Sequence, residues 1–416
     1  MGLRVAPNKV LEEIEHARNE IVNLACELVK IKSVNPPGDV SEIAFYLKDV
    51  LERNGLTVYT MEPEKGRVNV ISSIGSNKPE LVFNGHTDVV PPGDLSKWSI
   101  DPFSGVVMDG YLYGRGASDM KGGLAALIGA FLVLAKHESG LNGRVTLVAV
   151  PDEETGGFFG TRYLVENDIV LGDYVIIGEP TGMNYIDIGQ RGMVWLKLKS
   201  RGVSAHGSLA PYVGANAILK MVEAVQVLLE KVTSVTSSLP PDIAPVVSKS
   251  EKLADELLGV DGIGEKILRR PSFNVGIIKG GHKVNVVPDY CEAEVDIRLP
   301  IGVPKEVILV LIDEVVKKFN VEIELMTAFD ANYTLPETRL VKELSNSIRT
   351  ILGIEPSLFV QWASSDARFY RSKNVPTVHY GPAVLEGIHG YNEKVKIADI
   401  VNAAKVYALT ALRILS

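Results

Sequence analysis

Leu81-Val82-Phe83 passes without a break into Asn84-Gly85-His86-Thr87-Asp88. A short apolar run of this kind reads as a strand covered on both faces. The polar residues after it then stand at its carboxyl end. The pattern recurs along the chain. Val145–Val150 leads into Pro151-Asp152-Glu153-Glu154, and Tyr174–Ile177 leads into Gly178-Glu179-Pro180. Pro376–His379 leads, after a loop, to Ile388-His389-Gly390. Tyr113-Gly114-Arg115-Gly116-Ala117-Ser118-Asp119 precedes a helical pattern. Val68–Ile71 adds another strand. Such strands alternating with helical patterns predict an α/β fold: a mostly parallel, mixed sheet with helices on both faces.

Helical spacing runs from Asn8 to Lys32 through Val10, Ile14, Ala17, Ile21, Leu24, Leu28 and Ile31, and again from Val40 to Asn54. Asn35-Pro36-Pro37-Gly38 stands after the first of these as a helix breaker. The longest apolar run, Leu124 to Ala135, is well short of the roughly 20 residues that cross a bilayer and reads as a buried helix. The middle of the chain has a different period. Trp195–Lys199, Glu292–Arg298 and Val321–Leu325 alternate apolar and polar, which predicts strands with one wet face. Helical patterns fall at 215–232 and 304–319, with Pro304 in the first turn. The expectation is an inserted α+β domain, a four-stranded sheet with two helices, at 188–332. The catalytic domain would be split into 1–187 and 333–416. Residues 234–270, rich in Ser, Pro and charge, read as an elaboration of the insert.

The chain has 416 residues and a formal charge of -8, so a general nucleic-acid binder is a poor reading. Cys26 and Cys291 cannot build a disulfide framework, which fits a reducing compartment. Met1–Val10 has no apolar signal core. A cytoplasmic protein without membrane attachment is expected.

In a parallel sheet the carboxyl ends share one edge, and ligands bind in the crevice there. Two His and at least four carboxylates therefore converge. Such acids cannot all stay ionised without cations. Imidazole and carboxylate without thiolate suit a pair of divalent ions, zinc with cobalt or manganese as substitutes. One His and one terminal carboxylate per ion, with a shared carboxylate, fits a two-metal hydrolase. No G-x-S-x-G, phosphate loop or dinucleotide fingerprint competes with this reading.

Gly85-His86-Thr87-Asp88-Val89-Val90-Pro91, Gly114-Arg115-Gly116-Ala117-Ser118-Asp119-Met120-Lys121-Gly122-Gly123 and Asp152-Glu153-Glu154-Thr155-Gly156 occur in that order. They resemble the dinuclear zinc family of acetylornithine deacetylase, succinyl-diaminopimelate desuccinylase, aminoacylase and the glutamate-releasing carboxypeptidase. The resemblance spans nearly the whole chain, from Ser33 to His389. It implies that His86, Asp119 and Glu179 hold one ion and that Asp119, Glu154 and His389 hold the other. It implies that Asp88 accepts the free ring N–H of His86, that Glu153 is the general base, and that the Asp119–Met120 bond is cis. The insert would act as a lid and pair two subunits into a homodimer. His206 in Ser204-Ala205-His206-Gly207 would stabilise the oxyanion. Asn285 and Arg298 would bind the substrate carboxylate, and Arg368 would stand in the substrate loop near the second ion. Many relatives have Gly-Thr where this chain has Ser364-Ser365, so substrate identity does not transfer with the motif.

Competing readings attach to single residues. His206 could be an exposed lid residue, and Arg298 could pair with its acidic strand neighbours. The expected activity is hydrolysis of the amide bond of an N-acyl amino acid, as in amino-acid biosynthesis. A metallo-exopeptidase acting on short peptides is the alternative within the chemistry. A catalytically silent binding protein is the alternative outside it.

Overall fold

The computed structural model describes residues 5–416, so the first four residues of the Met1–Val10 stretch lie outside the described residues. The chain forms two compact units. The first holds the chain up to Ile188, Thr334–Leu358 and Ser365–Ser416; the second holds Gly189–Tyr333 and Phe359–Ser364.

The sheet of the first unit runs Val58–Glu64, Arg67–Gly75, Arg144–Val150, Glu80–His86, Tyr174–Ile177, Thr377–His379, Tyr185–Gln190. Its heart is parallel: Arg144–Val150 pairs with Glu80–His86, that strand with Tyr174–Ile177, and that in turn with Thr377–His379. Antiparallel neighbours flank it on either side. Every residue from Leu81 to His86 is buried, so both faces of the strand are covered. The covering helices follow from the apolar spacing. Gly122–Ala135 is buried nearly all round and packs against Ile397–Ile414. Full burial of one Leu or Phe side chain there contributes roughly 1.5–3 kcal/mol.

The N-terminal helical pattern is interrupted. It forms Pro7–His16 and Arg18–Lys30, joined at Ala17, whose ψ of 4° leaves the helical range. Both segments keep the predicted apolar face, with Val10, Ile14, Ile21, Leu24 and Leu28 buried. The Asn35–Pro36 and Pro36–Pro37 bonds that follow are both cis. A small antiparallel sheet pairs the hairpin Val106–Met108/Tyr111–Tyr113 with Lys394–Lys396. It ties the approach to Asp119 to the segment after His389.

The second unit is a four-stranded antiparallel sheet in the order Ser272–Gly280, Tyr290–Leu299, Gly192–Arg201, Val321–Phe329. Val194, Leu196, Leu198, Ala293, Val295 and Ile297 share one core with the helices Ala217–Ser234 and Lys305–Phe319. The opposite face carries ladders of opposite charge, Lys197–Glu294 at 2.9 Å and Lys199–Glu324 at 2.7 Å. Two expectations need correction. Pro304 caps the second helix from outside rather than opening its first turn. The boundary also shifts, since Phe359–Ser364 belongs to this unit, where the Val360 N–H donates to the buried Ser250 hydroxyl at 2.9 Å. Residues 234–270, the elaboration of the insert, form two further helices, Ala244–Leu258 and Ile263–Arg269. On the edge strand Val321–Phe329, moreover, Ile323 and Leu325 are exposed.

Candidate metal centre

The parallel strands deliver His86, Glu153, Glu154 and Glu179 to one edge of the sheet. His86 is the last residue of its strand, Glu153 and Glu154 follow Val150, and Glu179 follows Ile177. Asp119 arrives on the tight turn Ala117–Lys121, before the helix Gly122–Ala135. Its backbone there is extended, φ -119° and ψ 97°, and the Asp119–Met120 bond is cis. His389 comes from the loop after Thr377–His379 with a positive φ of 58°.

These residues meet in two groups that share Asp119. His86, Asp119 and Glu179 form one; Asp119, Glu154 and His389 form the other. Within each, one potential donor atom per residue lies within 4.8 Å of the others. His86 Nε2 is 3.0 Å from Asp119 Oδ1 and 3.8 Å from Glu179 Oε2. His389 Nε2 is 3.2 Å from Asp119 Oδ2 and 3.3 Å from Glu154 Oε2. Asp119 thus turns one carboxylate oxygen to each group, as a bridging ligand must.

The electrostatics show the strain of that gathering. Burial, then Glu179, pushes Glu153 well above the ordinary carboxylate range. Burial, with Asp119 and Glu154 beside it, does the same to Glu179. Burial also works to raise Asp119, but hydrogen bonds from His389 and His86 outweigh it and hold the group low. Hydrogen bonds to Asp119 and Glu154 push His389 up to about 10. Those contacts favour a proton on the His389 imidazole, one that a cation would displace. Glu179 Oε1 is buried without a hydrogen-bond partner among the described residues. Buried acceptors rarely stay unpaired. An orphaned carboxylate oxygen beside an imidazole and a second carboxylate fits a hard or borderline divalent cation.

Asp88 departs from its expected contact. His86 Nδ1 donates to the main-chain carbonyl of Asp88 at 2.8 Å, while the Asp88 carboxylate is farther, at 3.5 Å. The carbonyl fixes the tautomer and leaves Nε2 facing the other ligands. The carboxylate instead accepts the Glu153 and Glu154 N–H groups, each at 3.2 Å, and the Asn35 amide at 2.8 Å. Asp88 thus joins the His86 loop to the loop of the two glutamates. The reason lies in the chain before it. Asn35 N donates to Val89 O and Val89 N to Ser33 O, each at 2.9 Å. That short parallel bridge carries the Asn35 side chain to Asp88, and its amide also reaches Thr155 Oγ1 at 2.8 Å.

The other candidates belong to the second unit or are engaged by other partners. His206 is exposed in the second unit, with Nδ1 2.7 Å from Ser208 Oγ. Asn285 is near it in that unit, its carbonyl accepting the Gly207 N–H at 2.8 Å. Arg298 pairs with Asp296 at 2.8 Å and lies over the Trp195 ring, which matches its competing reading. Arg368, in the first unit, is buried and donates to the carbonyls of Ser365 and Gly156, each at 2.6 Å. Its guanidinium braces the turn after Glu153 and is not presented as an open carboxylate receptor.

Sequence reasoning passed over several polar groups here. Glu393 is fully buried, four residues beyond His389, and pairs with buried Arg115 at 2.7 Å. Lys121 is buried and donates to Ile31 O at 2.8 Å; burial pulls its amine down to about 7. Ser365 Oγ is 2.8 Å from His379 Nε2, and His379 Nδ1 meets Asp187, all three buried. Arg115 and Lys121 stood inside a quoted motif, but a motif gives no partner for a side chain.

Comparison with known proteins follows the same line. The sequence model of peptidase family M20/M25/M40 matches residues 82–413. A succinyl-diaminopimelate desuccinylase of Nitrosomonas europaea is 29% identical over 403 residues, covering 94% of this chain and 98% of the relative. The crystal structure of an M20 family metallo-carboxypeptidase from Sulfolobus solfataricus superposes with a TM-score of 0.80 at 25% identity, covering 94% of this chain and 98% of that one. A dinuclear metal binding peptidase of the M20 family from Bacillus subtilis shares the fold, with a TM-score of 0.66 at 15% identity over 96% of this chain and 99% of that one.

Proposed function

The chain belongs to peptidase family M20/M25/M40, metallohydrolases of amide and peptide bonds, and from that premise we propose that it is a dinuclear enzyme releasing an acyl group from an N-acyl amino acid. The observation that carries the reading is the pair of ligand groups sharing Asp119. His86 and Glu179 complete one site, Glu154 and His389 the other. Zinc suits the donor set best, with cobalt or manganese as substitutes. When bound, the ions polarise the scissile carbonyl and lower the pKa of the attacking water.

The rest is done by the chain. Glu153 takes a proton from the attacking water and later passes it to the leaving amine. Without ions, burial and the neighbouring Glu179 favour its protonated form; cations bound beside it would offset that charge and free the carboxylate to act as base. Asp88 and Asn35 hold the Glu153 loop against the His86 loop. We assign the oxyanion donor to His206 and recognition of the substrate carboxylate to Asn285, with Arg298 and Arg368 in supporting places. The succinyl-diaminopimelate desuccinylase relatives support an N-succinyl diamino acid as substrate, and hence a place in amino-acid biosynthesis. The carboxypeptidase neighbour supports the second reading, a metallo-exopeptidase acting on short peptides. We place homodimerisation in the second unit, supported by its edge strands and the exposed Ile323 and Leu325. A cytoplasmic location suits the two free thiols, Cys26 and Cys291.

The test is a hydrolysis screen of N-acyl amino acids and dipeptides with zinc, cobalt and manganese supplied separately. Turnover of an N-acyl amino acid supports the proposal, and turnover of dipeptides alone favours the exopeptidase. Two bound ions with no turnover on either would favour a silent binder. Glu153→Ala should keep both ions and lower kcat by at least ~100-fold. Near-normal turnover in that variant would remove Glu153 from the mechanism.

A further inference from the structure

Glu393 is a carboxylate with no exposed surface and a full set of donors. Oε2 accepts Arg115 Nη1 at 2.7 Å and the Gly116 N–H at 3.1 Å. Oε1 accepts the Ser118 N–H at 2.9 Å and the Asp119 N–H at 3.0 Å. Three of these four contacts are with N–H groups of the turn that presents Asp119 or of the residue before it, and the last is with Asp119 itself. Arg115 reaches the other way. Its Nη2 donates to the carbonyl of Gly390 at 2.9 Å, with those of His389 at 3.4 Å and Pro91 at 3.5 Å beside it. The Ser118 hydroxyl donates to the Lys394 carbonyl at 2.8 Å, and the Gly114 N–H to the Glu393 carbonyl at 2.9 Å. The pair therefore joins three loops, those after His86, before Asp119 and around His389.

The two ion sites depend on this join unequally. In the first group only the shared Asp119 leans on it, because His86 and Glu179 stand at the ends of paired parallel strands; in the second both Asp119 and the His389 loop do. His389 stands on a loop, in a left-handed conformation, with its side chain half exposed. Arg115 fixes the carbonyls on either side of the bond between His389 and Gly390, while Glu393 fixes Asp119 opposite. We infer that Arg115 and Glu393 are positioning residues that set His389 against Asp119 and so determine the affinity of the Asp119/Glu154/His389 site in preference to the His86 site. The inference rests on the dinuclear reading above and deepens it.

The experiment titrates metal-free, full-length protein with Co2+, followed by calorimetry and by the visible absorption of the bound ion. Wild type should take up two equivalents. Arg115→Lys keeps a charge for Glu393 but lacks the second arm that reaches Gly390. Glu393→Gln keeps the shape but turns an amide N–H toward donors. In both, the equivalent that His389→Ala also weakens should lose about 10–100-fold in affinity, the usual scale for a lost partner behind a ligand. The other equivalent should change far less, and the absorption of the weakened site should alter. A purely architectural pair would lower melting temperature and weaken both equivalents together. An unchanged ratio of the two affinities, whether both fall or neither does, overturns the inference. If Glu393→Gln does not fold, Arg115→Lys decides alone. A wild type that takes up fewer than two ions refutes the dinuclear reading instead, which separates the two failures.

Discussion

Gly123 opens the buried helix Gly122–Ala135 at the point where it crosses the strand end carrying Glu179. A Cβ at this position would stand 2.0 Å from the carbonyl oxygen of Gly178 and 3.0 Å from its carbon. Ordinary contact begins near 3.4 Å, so backbone must move on one side or the other. Gly129 lies in the same helix and supplies the control. A Cβ there meets Ile21 Cγ1 at 2.7 Å and Cδ1 at 2.8 Å, atoms of a buried side chain rather than of backbone. Each Gly→Ala change adds about 1 kcal/mol of helix propensity. Overpacking a core costs about 1–3 kcal/mol, more where the obstacle is rigid. Gly129→Ala should therefore cost less than Gly123→Ala, whose obstacle is backbone. Gly123→Ala should lose about 1–2 kcal/mol and, by displacing Gly178, weaken the ion bound through Glu179. Chemical denaturation of metal-free protein reads the stability, and a metal titration reads the site. If Gly123→Ala is as stable as Gly129→Ala and binds metal like wild type, the close approach of helix and strand end is not as described.

Removal of metal gives another test. Chelation should lower the melting temperature, and a free ion at 100 times its Kd should restore about 2.7 kcal/mol per site. Because contacts with Asp119 and Glu154 hold a proton on His389 up to about 10, binding near neutral pH should release protons, measurable by calorimetry in buffers of different ionisation enthalpy. Binding without proton release would contradict the metal-free geometry. Glu15 predicts an acid limb elsewhere in the fold. Hydrogen bonds from Arg18 at 2.6 Å and Lys405 at 2.5 Å hold it down to about 2, against an ordinary value near 4.5. A depressed carboxylate stabilises the fold above its unfolded pKa and loses that contribution as pH falls toward the folded value. Wild type should therefore lose its advantage over Glu15→Gln between about pH 4.5 and about 2; a difference that is flat across that window would refute the pairing.

Much of this molecule was legible in the sequence because its strands declare their environment. Leu81–Phe83, Val145–Val150 and Tyr174–Ile177 are apolar on both faces, and that alone implies covered parallel strands with chemistry at their ends. The clean alternation of Glu292–Arg298 marked the second unit as differently built. What stayed hidden were contacts between distant residues. Whether the Asp88 carboxylate or its carbonyl meets His86 depends on a loop conformation that no spacing encodes. Glu393 and Arg115 are separated by 278 positions, and each alone reads as a surface charge. The break at Ala17 was invisible because Ala favours helix and the apolar face continues past it. The helices within 234–270 were masked by their Ser, Pro and charge content. Phe359–Ser364 changed units because the buried hydroxyl of Ser250 offers Val360 a partner, a tertiary fact.

The ligands are drawn from His86 at one extreme and His389 at the other, and the second unit is threaded between them. Cleavage of the chain within the second unit would therefore leave His86, Asp119 and Glu179 together on one fragment, and would part Asp119 and Glu154 from His389.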